Sequence, residues 1–413
     1  MAVQQVASGS RHRRDLTMFS IVSVLACNML GFGAVFALLP KLQDKYGLAT
    51  SGLGVITASS VVCSVISLLA FARFADRGYA LRIMRIGIVS MCVGFGWFGV
   101  ATQLWQFAAA RALVGFGGGL FVPAARRTVV AREPARAGER LGMMVSVEIG
   151  GFVLGPPLAI ALYTLGGLRL PFVAPVLLLV VAGMTLRVGA NARTETNAPR
   201  GAVRLLLASP AVRAALLIGA AVNLSIGAFE PVIAKQLHDI GASDQATGLT
   251  LASFALPYVF FSWFGGRAAD RFGAYRTAVL SMVFTVPTLA MFGIVKTAFL
   301  LAVFGVLRSC FDTITTPSGS AAMAHAAPAT LLGTGQGLYG AIASTMTGIA
   351  ALIGAATYDA WGARTLWFMS AGSMLVFAVS TTIIARRAGV WQPRDRWEGA
   401  IEPRPISADP SPV

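Results

Sequence analysis

The chain has 413 residues, of which 56% are hydrophobic and only 12% are charged, and its mean hydropathy is +0.72. This composition indicates an integral membrane protein and excludes an ordinary soluble globular fold. The formal net charge of +16 is spread over short segments between apolar runs, so the sequence does not predict a nucleic-acid-binding protein.

Twelve apolar stretches are each long enough to cross the hydrocarbon core of a bilayer, which takes about 20 helical residues. They lie near 17–40, 50–71, 81–103, 105–127, 141–163, 170–189, 212–234, 246–265, 276–296, 299–322, 332–356 and 364–386. Because lipid offers the backbone no hydrogen-bond partner, each stretch is predicted to be an α-helix. The predicted fold class is therefore an all-α membrane protein with twelve transmembrane helices.

A repeated segment divides the predicted spans into two similar halves. The residues ARFADRGYALR at 72–82 return as GRAADRFGAYR at 266–276, an offset of 194 residues. We therefore predict one six-helix half over 17–189 and a second over 212–387. Such duplicated membrane halves are typical of transporters.

The remaining segments are predicted to be cytoplasmic. They are a tail at 1–16, a central loop at 190–211 and a tail at 388–413 that is disordered because it is rich in proline and charge. Most of the arginines fall on this side of the predicted spans, and the positive-inside rule then places both termini in the cytoplasm. Arginine far outnumbers lysine, which is typical of GC-rich bacterial genomes, so the predicted location is a bacterial inner (plasma) membrane.

No catalytic or nucleotide-binding motif accompanies the spans. The sequence has no GxxxxGK[ST] loop, no Ser-His-Asp arrangement and no Cys/His spacing suited to a metal. An enzyme is therefore not predicted, no cofactor or metal is expected, and a gradient must supply the energy for transport. From a different functional class, a membrane sensor that binds a ligand without moving it remains an alternative.

The segment at 266–276 resembles the signature loop of the major facilitator superfamily, G-x-x-x-D-R-x-G-x-x-R. In that family the loop is a cytoplasmic latch that holds the two halves together in one state. The resemblance assigns this role to Asp76, Arg77, Arg82, Asp270, Arg271 and Arg276. An aspartate can accept hydrogen bonds from the amino-terminal amides of a neighbouring helix, while arginine pairs with nearby carboxylates.

Two further segments resemble the drug:proton antiporter group of the same family. Arg111 begins an R-x-x-x-G segment in the fourth span, and residues 151–156 of the fifth span read G-x-x-x-G-P. The resemblance implies that Gly151, Gly155 and Pro156 tighten the interface between the halves, because small residues allow close helix approach and proline bends a helix. Arg111 lies far inside a span and is a candidate for proton coupling.

Three acidic residues lie within the predicted spans: Glu148, Glu230 and Asp312. Glu148 is the leading proton-binding candidate because it shares a helical face with the glycines of the G-x-x-x-G-P segment and should face the interface between the halves. The alternative is a glutamate bonded to a fixed partner, such as an arginine at the end of the fourth span. Asp312 follows Arg308 by four residues, so the two can neutralise each other or form a switch. Glu230 is a candidate gate or cation site.

Neutral polar side chains complete a predicted substrate cavity: Asn28, Asn223, Gln336 and Tyr339. The resemblance implies a secondary transporter that works by alternating access and exports drug-like or amphipathic small molecules in exchange for protons, conferring drug resistance. A specific carrier for a metabolite, such as a sugar or amino-acid derivative, is the alternative within transport. The expected partners are the small-molecule substrate, protons and the lipid bilayer, and a monomer is expected.

Overall fold

The structure, a computed structural model, describes residues 2–48, 50–186 and 201–393, and these residues form helices without any strand. The first six helices are α1 (Ala2–Tyr46), α2 (Thr50–Phe74), α3 (Ala80–Val100), α4 (Leu104–Arg132), α5 (Ala137–Gly166) and α6 (Leu170–Thr185). They are followed by α7 (Ala202–Ala208), α8 (Pro210–Asp239), α9 (Asp244–Phe272), α10 (Ala274–Phe292), α11 (Ala298–Ala326) and α12 (Leu332–Arg387). The predicted all-α fold is confirmed for the described residues.

Nine helical stretches in the described part of the chain are long and apolar enough to cross a membrane. Three of them are much longer than one crossing needs: Gly52–Val100, Pro134–Thr185 and Ala329–Arg387, with 49, 52 and 59 residues. Each of the three contains a glycine with a positive φ angle, at Gly78 (85°), Gly167 (69°) and Gly362 (76°). Glycine adopts this conformation without a steric penalty, so each long stretch changes direction there.

Helix also occurs in two segments that were predicted to be loops or tails. α1 begins at Ala2, within the predicted tail, and the short α7 lies in the predicted central loop. Residues 187–200 of that loop and 394–413 of the predicted C-terminal tail lie outside the described residues. The predicted seventh span corresponds to α8, and the last two predicted spans are the two segments of α12 on either side of Gly362.

We call α1–α6 the first helix group and α8–α12 the second helix group. The two groups meet along α5 and α9 and along α2 and α12. A Cβ added to Gly138 of α5 would overlap the carbonyl oxygen of Gly266 of α9, whereas one added to Gly150, further along α5, would lie 3.9 Å from Val259. The groups are therefore in tightest contact at one end of the bundle, which we call the latch end.

The interface between α2 and α12 widens in the same direction. A Cβ on Gly337 would overlap Ala72 near the latch end, while one on Gly348 would have no neighbour within 4 Å among the described residues. Close backbone contact at one end and open space at the other give the bundle the form of a wedge. A cavity between the helix groups is therefore closed at the latch end and open toward the other end.

The prediction that the G-x-x-x-G-P segment lies between the two halves is wrong. A Cβ on Gly151 would lie 2.5 Å from the carbonyl oxygen of Ala26, and one on Gly155 would lie 2.5 Å from that of Leu30. Pro156 is also against α1, because its Cδ would lie 2.9 Å from a Cβ on Gly33. These residues bind α5 to α1 within the first helix group.

The G-x-x-x-G-P segment misses the interface between the groups because an α-helix rotates by about 100° per residue. The face of α5 that contacts α9 is formed by small residues four positions apart: Gly138, Gly142, Ser146 and Gly150. Gly151 and Gly155 are one step out of that register and therefore point toward α1.

Candidate functional site

Asp76 joins the two helix groups at the latch end. It lies in the turn between α2 and α3, is fully buried, and accepts hydrogen bonds from the backbone N–H groups of Gly333 and Thr334, both at 2.7 Å. The Thr334 hydroxyl donates a third bond at 2.7 Å, and Arg127 Nε of α4 a fourth at 3.0 Å. Because the two amides belong to the first turn of α12, Asp76 caps a helix of the opposite group where the helix dipole favours an anion.

Asp270 makes the equivalent contact in the opposite direction. It lies at the end of α9 and accepts hydrogen bonds from the backbone N–H groups of Gly138 (2.7 Å) and Glu139 (2.8 Å) in the first turn of α5. The two aspartates thus cap two helices that are related by the internal repeat. This is the geometry that the latch prediction requires.

The arginines predicted for the latch are placed differently. Arg77, Arg82, Arg271 and Arg276 are exposed, and in the described part of the chain none of them is within ion-pair distance of a carboxylate. Arg77, Arg82 and Arg271 instead lie over neighbouring aromatic rings, at 5.2 to 5.7 Å. The prediction that these arginines pair with carboxylates is therefore wrong for this state.

Other arginines supply the ion pairs at the latch end. Arg127, which is buried, pairs with Asp76, and Arg136 Nη2 lies 2.6 Å from Glu139 Oε1. Arg140 Nε pairs with Glu133 at 2.9 Å. The sequence contains no motif that marks Arg127, since its carboxylate partner is 51 residues away and only the tertiary fold brings them together.

A central cavity of about 330 Å³ lies between the helix groups. Its walls come from α1, α2, α4 and α5 of the first group and from α8, α11 and α12 of the second. Of the predicted cavity residues, Asn28, Asn223 and Tyr339 line it. Gln336 does not, because its side chain is buried against Ser320, with hydrogen bonds of 2.9 and 3.0 Å.

Glu148 and Arg126 are the charged side chains in the described wall of this cavity. Glu148 Oε2 lies 3.8 Å from Arg126 Nη2, and both side chains are 16% exposed. This separation permits an ion pair but exceeds hydrogen-bond length. The partner of Glu148 is thus an arginine at the end of the fourth span, as the alternative interpretation of Glu148 expected.

Arg111 lies elsewhere on α4. It is 15 residues before Arg126, about 22 Å along the helix axis, so it cannot act directly on the Arg126–Glu148 pair. Its guanidinium carbon stacks 3.4 Å from the centre of the Phe32 ring, and its Nη1 atom is buried with no hydrogen-bond partner among the described residues. Phe32 lines the cavity, whereas Arg111 is not among the residues of its wall.

Asp312 and Arg308 form a buried ion pair within α11, with Oδ2 and Nη2 at 3.0 Å. Arg308 also donates to the Ser225 hydroxyl of α8 at 3.0 Å, and Tyr258 of α9 bonds to Asp312. The pair therefore joins three helices of the second group and is not part of the cavity wall. The side chain of the third predicted acid, Glu230, lies outside what the structure describes.

Two consecutive residues of α4 connect the cavity to the latch end. Arg126 faces the cavity and pairs with Glu148 of α5, while the next residue, Arg127, pairs with Asp76. Asp76 in turn caps α12 of the second helix group. A displacement of the end of α4 would therefore act on both ion pairs together.

Comparison with known proteins finds a matching family and relatives over nearly the whole chain. The sequence model of the Major Facilitator Superfamily matches residues 21–238 and 214–410. Multidrug resistance protein MdtG of Klebsiella pneumoniae (strain 342) is 22% identical over 385 residues, which are 89% of this chain and 93% of that protein.

MdtG of Dickeya zeae (strain Ech586) is 26% identical over 255 residues, 59% of this chain and 62% of the relative, so that match spans less than two thirds of the relative's length. Among solved structures, the human organic anion transporter MFSD10 (TETRAN) superposes with a TM-score of 0.76 at 16% identity, covering 89% of this chain and 99% of that one. At this level of identity the likeness concerns the fold alone.

Proposed function

Because the chain belongs to the major facilitator superfamily and is a membrane transporter rather than an enzyme, we propose that it exports small amphipathic molecules in exchange for protons. Multidrug resistance proteins among its bacterial relatives support efflux as the direction. The observation that carries the proposal is the loose Arg126–Glu148 ion pair in the wall of the cavity between the helix groups. A carboxylate in this position can exchange a proton for a substrate.

The proposed topology has twelve membrane crossings. Each of the three long helical stretches would cross the bilayer twice and turn at its positive-φ glycine. The positive-inside rule then puts the latch end, with its many arginines, in the cytoplasm of a bacterial cell. We propose that the two helix groups are the two halves of one functional monomer in the inner membrane.

In this topology the described state faces outward. The contacts of Asp76 and Asp270 close the cytoplasmic end, and the helix groups separate toward the other side. Alternating access requires these contacts to break and equivalent contacts to form outside. Contacts between an aspartate and a helix terminus can break in this way, because water can solvate both the released aspartate and the released helix terminus.

Proton binding would be coupled to the latch through α4. When Glu148 is ionised it balances the charge of Arg126. Protonation removes that attraction and frees the end of α4, where Arg127 holds Asp76. The latch is thereby weakened, and the cycle can proceed to the inward-facing state.

The test is proton-coupled efflux in everted membrane vesicles. A fluorescent pH probe reports proton release when a panel of dyes and antibiotics is added to vesicles with an acid interior. We expect several compounds to release protons with the wild type and not with Glu148→Gln, whereas Asp44→Asn, which removes an exposed carboxylate of α1, should behave as the wild type. Proton release that persists in Glu148→Gln would refute the assignment of the proton site.

A specific metabolite carrier is a second candidate, favoured by the cavity wall of the second helix group. That wall is neutral and rich in hydroxyl groups, which suits a hydrophilic solute: Thr316, Ser320, Tyr339 and Ser344. No response to the whole panel, with the protein correctly inserted, would favour this candidate. Competition among many solutes would favour multidrug efflux.

A further inference from the structure

Four exposed arginines lie in and beside the turn between α2 and α3: Arg73, Arg77, Arg82 and Arg85. None of them has a hydrogen-bond acceptor or a carboxylate within ion-pair distance among the described residues. The acid within this segment, Asp76, is buried and already bonded to Arg127 and to the first turn of α12. The surface of the turn therefore presents four positive charges that no described group balances.

Aromatic rings hold three of these guanidinium groups in place. Arg73 and Arg77 lie over the same ring, that of Phe74, at 5.1 and 5.7 Å from its centre. Arg82 lies 5.4 Å from the centre of the Tyr79 ring. Two like charges beside one ring repel each other, and an anion bound between them would remove that repulsion.

Beyond the arginines, α3 has an apolar exposed face. Ile86, Val89 and Val93 are 56%, 62% and 52% exposed. They follow Arg82 by four, seven and eleven residues and therefore lie on the same side of the helix as Arg82. The distance from Arg82 to Val93 is about 16 Å along the helix axis, close to the thickness of one leaflet in a hydrocarbon core of about 30 Å. A cationic group at one end of an apolar stripe of this length matches the shape of a phospholipid.

The excess of positive charge selects the type of headgroup. A guanidinium group can bind the oxygens of a phosphate with two parallel hydrogen bonds. In a zwitterionic lipid, the choline or ethanolamine cation of the same headgroup would be repelled by the four arginines. A phosphodiester whose headgroup has no cation avoids this repulsion, so the site favours an anionic phospholipid.

The internal repeat gives the second helix group a weaker version of this surface. The arginine at the start of α3 returns as Arg276 of α10, which is also exposed. However, Val279 stands at the position that corresponds to Arg85, and Arg267 lies 3.8 Å from Glu139. Fewer unbalanced charges remain there, so the first helix group has the stronger site.

We propose that the turn between α2 and α3 binds the phosphodiester group of an anionic phospholipid, whose acyl chains lie along the exposed apolar face of α3. In the proposed topology this lipid belongs to the cytoplasmic leaflet. The inference takes only the membrane orientation from the proposed function and does not depend on proton exchange. Because the turn also contains Asp76, the lipid binds the segment that closes the latch.

Lipid binding to the purified full-length protein in detergent tests the proposal without requiring transport. Native mass spectrometry measures the affinity for the first bound lipid. Three probes share the same acyl chains and differ in the headgroup: phosphatidylglycerol, phosphatidylethanolamine and phosphatidylcholine. We expect the wild type to bind phosphatidylglycerol roughly tenfold tighter than the other two, because each basic residue near an anionic lipid contributes about a factor of five in affinity.

A site variant and a control variant separate this site from general attraction. The site variant neutralises three arginines: Arg77→Gln, Arg82→Gln and Arg85→Gln. The control neutralises three other exposed arginines at the latch end, one each in α7, α8 and α12: Arg204→Gln, Arg213→Gln and Arg387→Gln. The site variant should bind phosphatidylglycerol no tighter than phosphatidylcholine, while the control should differ from the wild type by less than about twofold.

Three results would overturn the proposal. Equal loss of phosphatidylglycerol binding in both variants would indicate diffuse attraction to a basic surface. Equal affinity of the wild type for phosphatidylglycerol and either zwitterionic lipid would contradict the charge requirement without any variant. A large excess of glycerophosphoglycerol, which is the same headgroup without acyl chains, should leave the lipid bound. Displacement of the lipid would identify a site for a soluble phosphate ester instead.

Failure of this inference can be distinguished from failure of the proposed function. Selective phosphatidylglycerol binding that is lost in the site variant, together with absence of proton release in vesicles, would leave the lipid site intact and refute proton-coupled export. Proton-coupled export by a protein that binds the three lipids equally would leave the function intact and refute the lipid site.

Discussion

Replacement of Asp76 by asparagine tests the latch most directly. The carboxylate accepts four hydrogen bonds, from two amides of α12, the Thr334 hydroxyl and Arg127. Asparagine has the same shape but only one acceptor oxygen, and its amide group must then face donors. The change therefore removes one or two of the three bonds to α12, which exist only while the latch is closed, whereas the Arg127 bond lies within the first helix group.

The size of the effect follows from the bonds lost. One or two of the three bonds to α12 are lost, and a hydrogen bond to a charged group contributes about 1.5–3 kcal/mol, so the closed state is weakened by about 3 kcal/mol. Since one factor of ten corresponds to 1.36 kcal/mol, the ratio of closed to open molecules should fall roughly 100-fold. Asp76→Asn combined with Asp270→Asn should lower it further, because the second latch is lost as well.

Distances between spin labels can measure this ratio. After replacement of the four free cysteines, labels on the exposed positions Arg73 and Ala329 report the separation of α2 from the segment before α12. We expect one short distance in the wild type and in the exposed-carboxylate control Asp44→Asn, and a long-distance population in Asp76→Asn. Unchanged distance distributions in both Asp76→Asn and the double variant would refute the latch argument.

Three further predictions concern packing and charge. Gly118→Val should fold normally but lower transport of the larger dyes and antibiotics of the panel several-fold, because a Cβ at Gly118 has only Asn28 within 4 Å. Gly119→Ala, whose Cβ would overlap Ser67, should destabilise the protein by about 1–3 kcal/mol in thermal unfolding. Equal stability of the two variants would contradict this. Arg308→Met alone strands Asp312 and should cost about 3–5 kcal/mol, while adding Asp312→Leu should restore stability. If the double variant is stable but inactive, Asp312 has a role in transport beyond pairing. Gly142→Ala would overlap the facing α9 backbone and should raise the open population seen with the spin labels, and an unchanged distribution would count against the α5–α9 interface.

Hydropathy and the internal repeat determined much of this protein from sequence alone. Apolar runs of membrane-spanning length can satisfy their backbone hydrogen bonds only within the run, so they predict helices without knowledge of the fold. The repeat marked Asp76 and Asp270 as equivalent, and both cap helices in the structure. Glu148 could be selected because a carboxylate inside an apolar span is costly and needs a function or a partner.

Only the tertiary structure decided which side chains meet. Arg126 rather than Arg111 is the partner of Glu148, and Arg127 holds Asp76, because these contacts join different helices and depend on how each helix is rotated. A shift of one residue turns a helix face by about 100°, which sent Gly151 toward α1 instead of the interface between the groups. Local sequence determines that a helix forms, whereas the identity of its neighbours is set by packing over the whole chain, which no single segment contains.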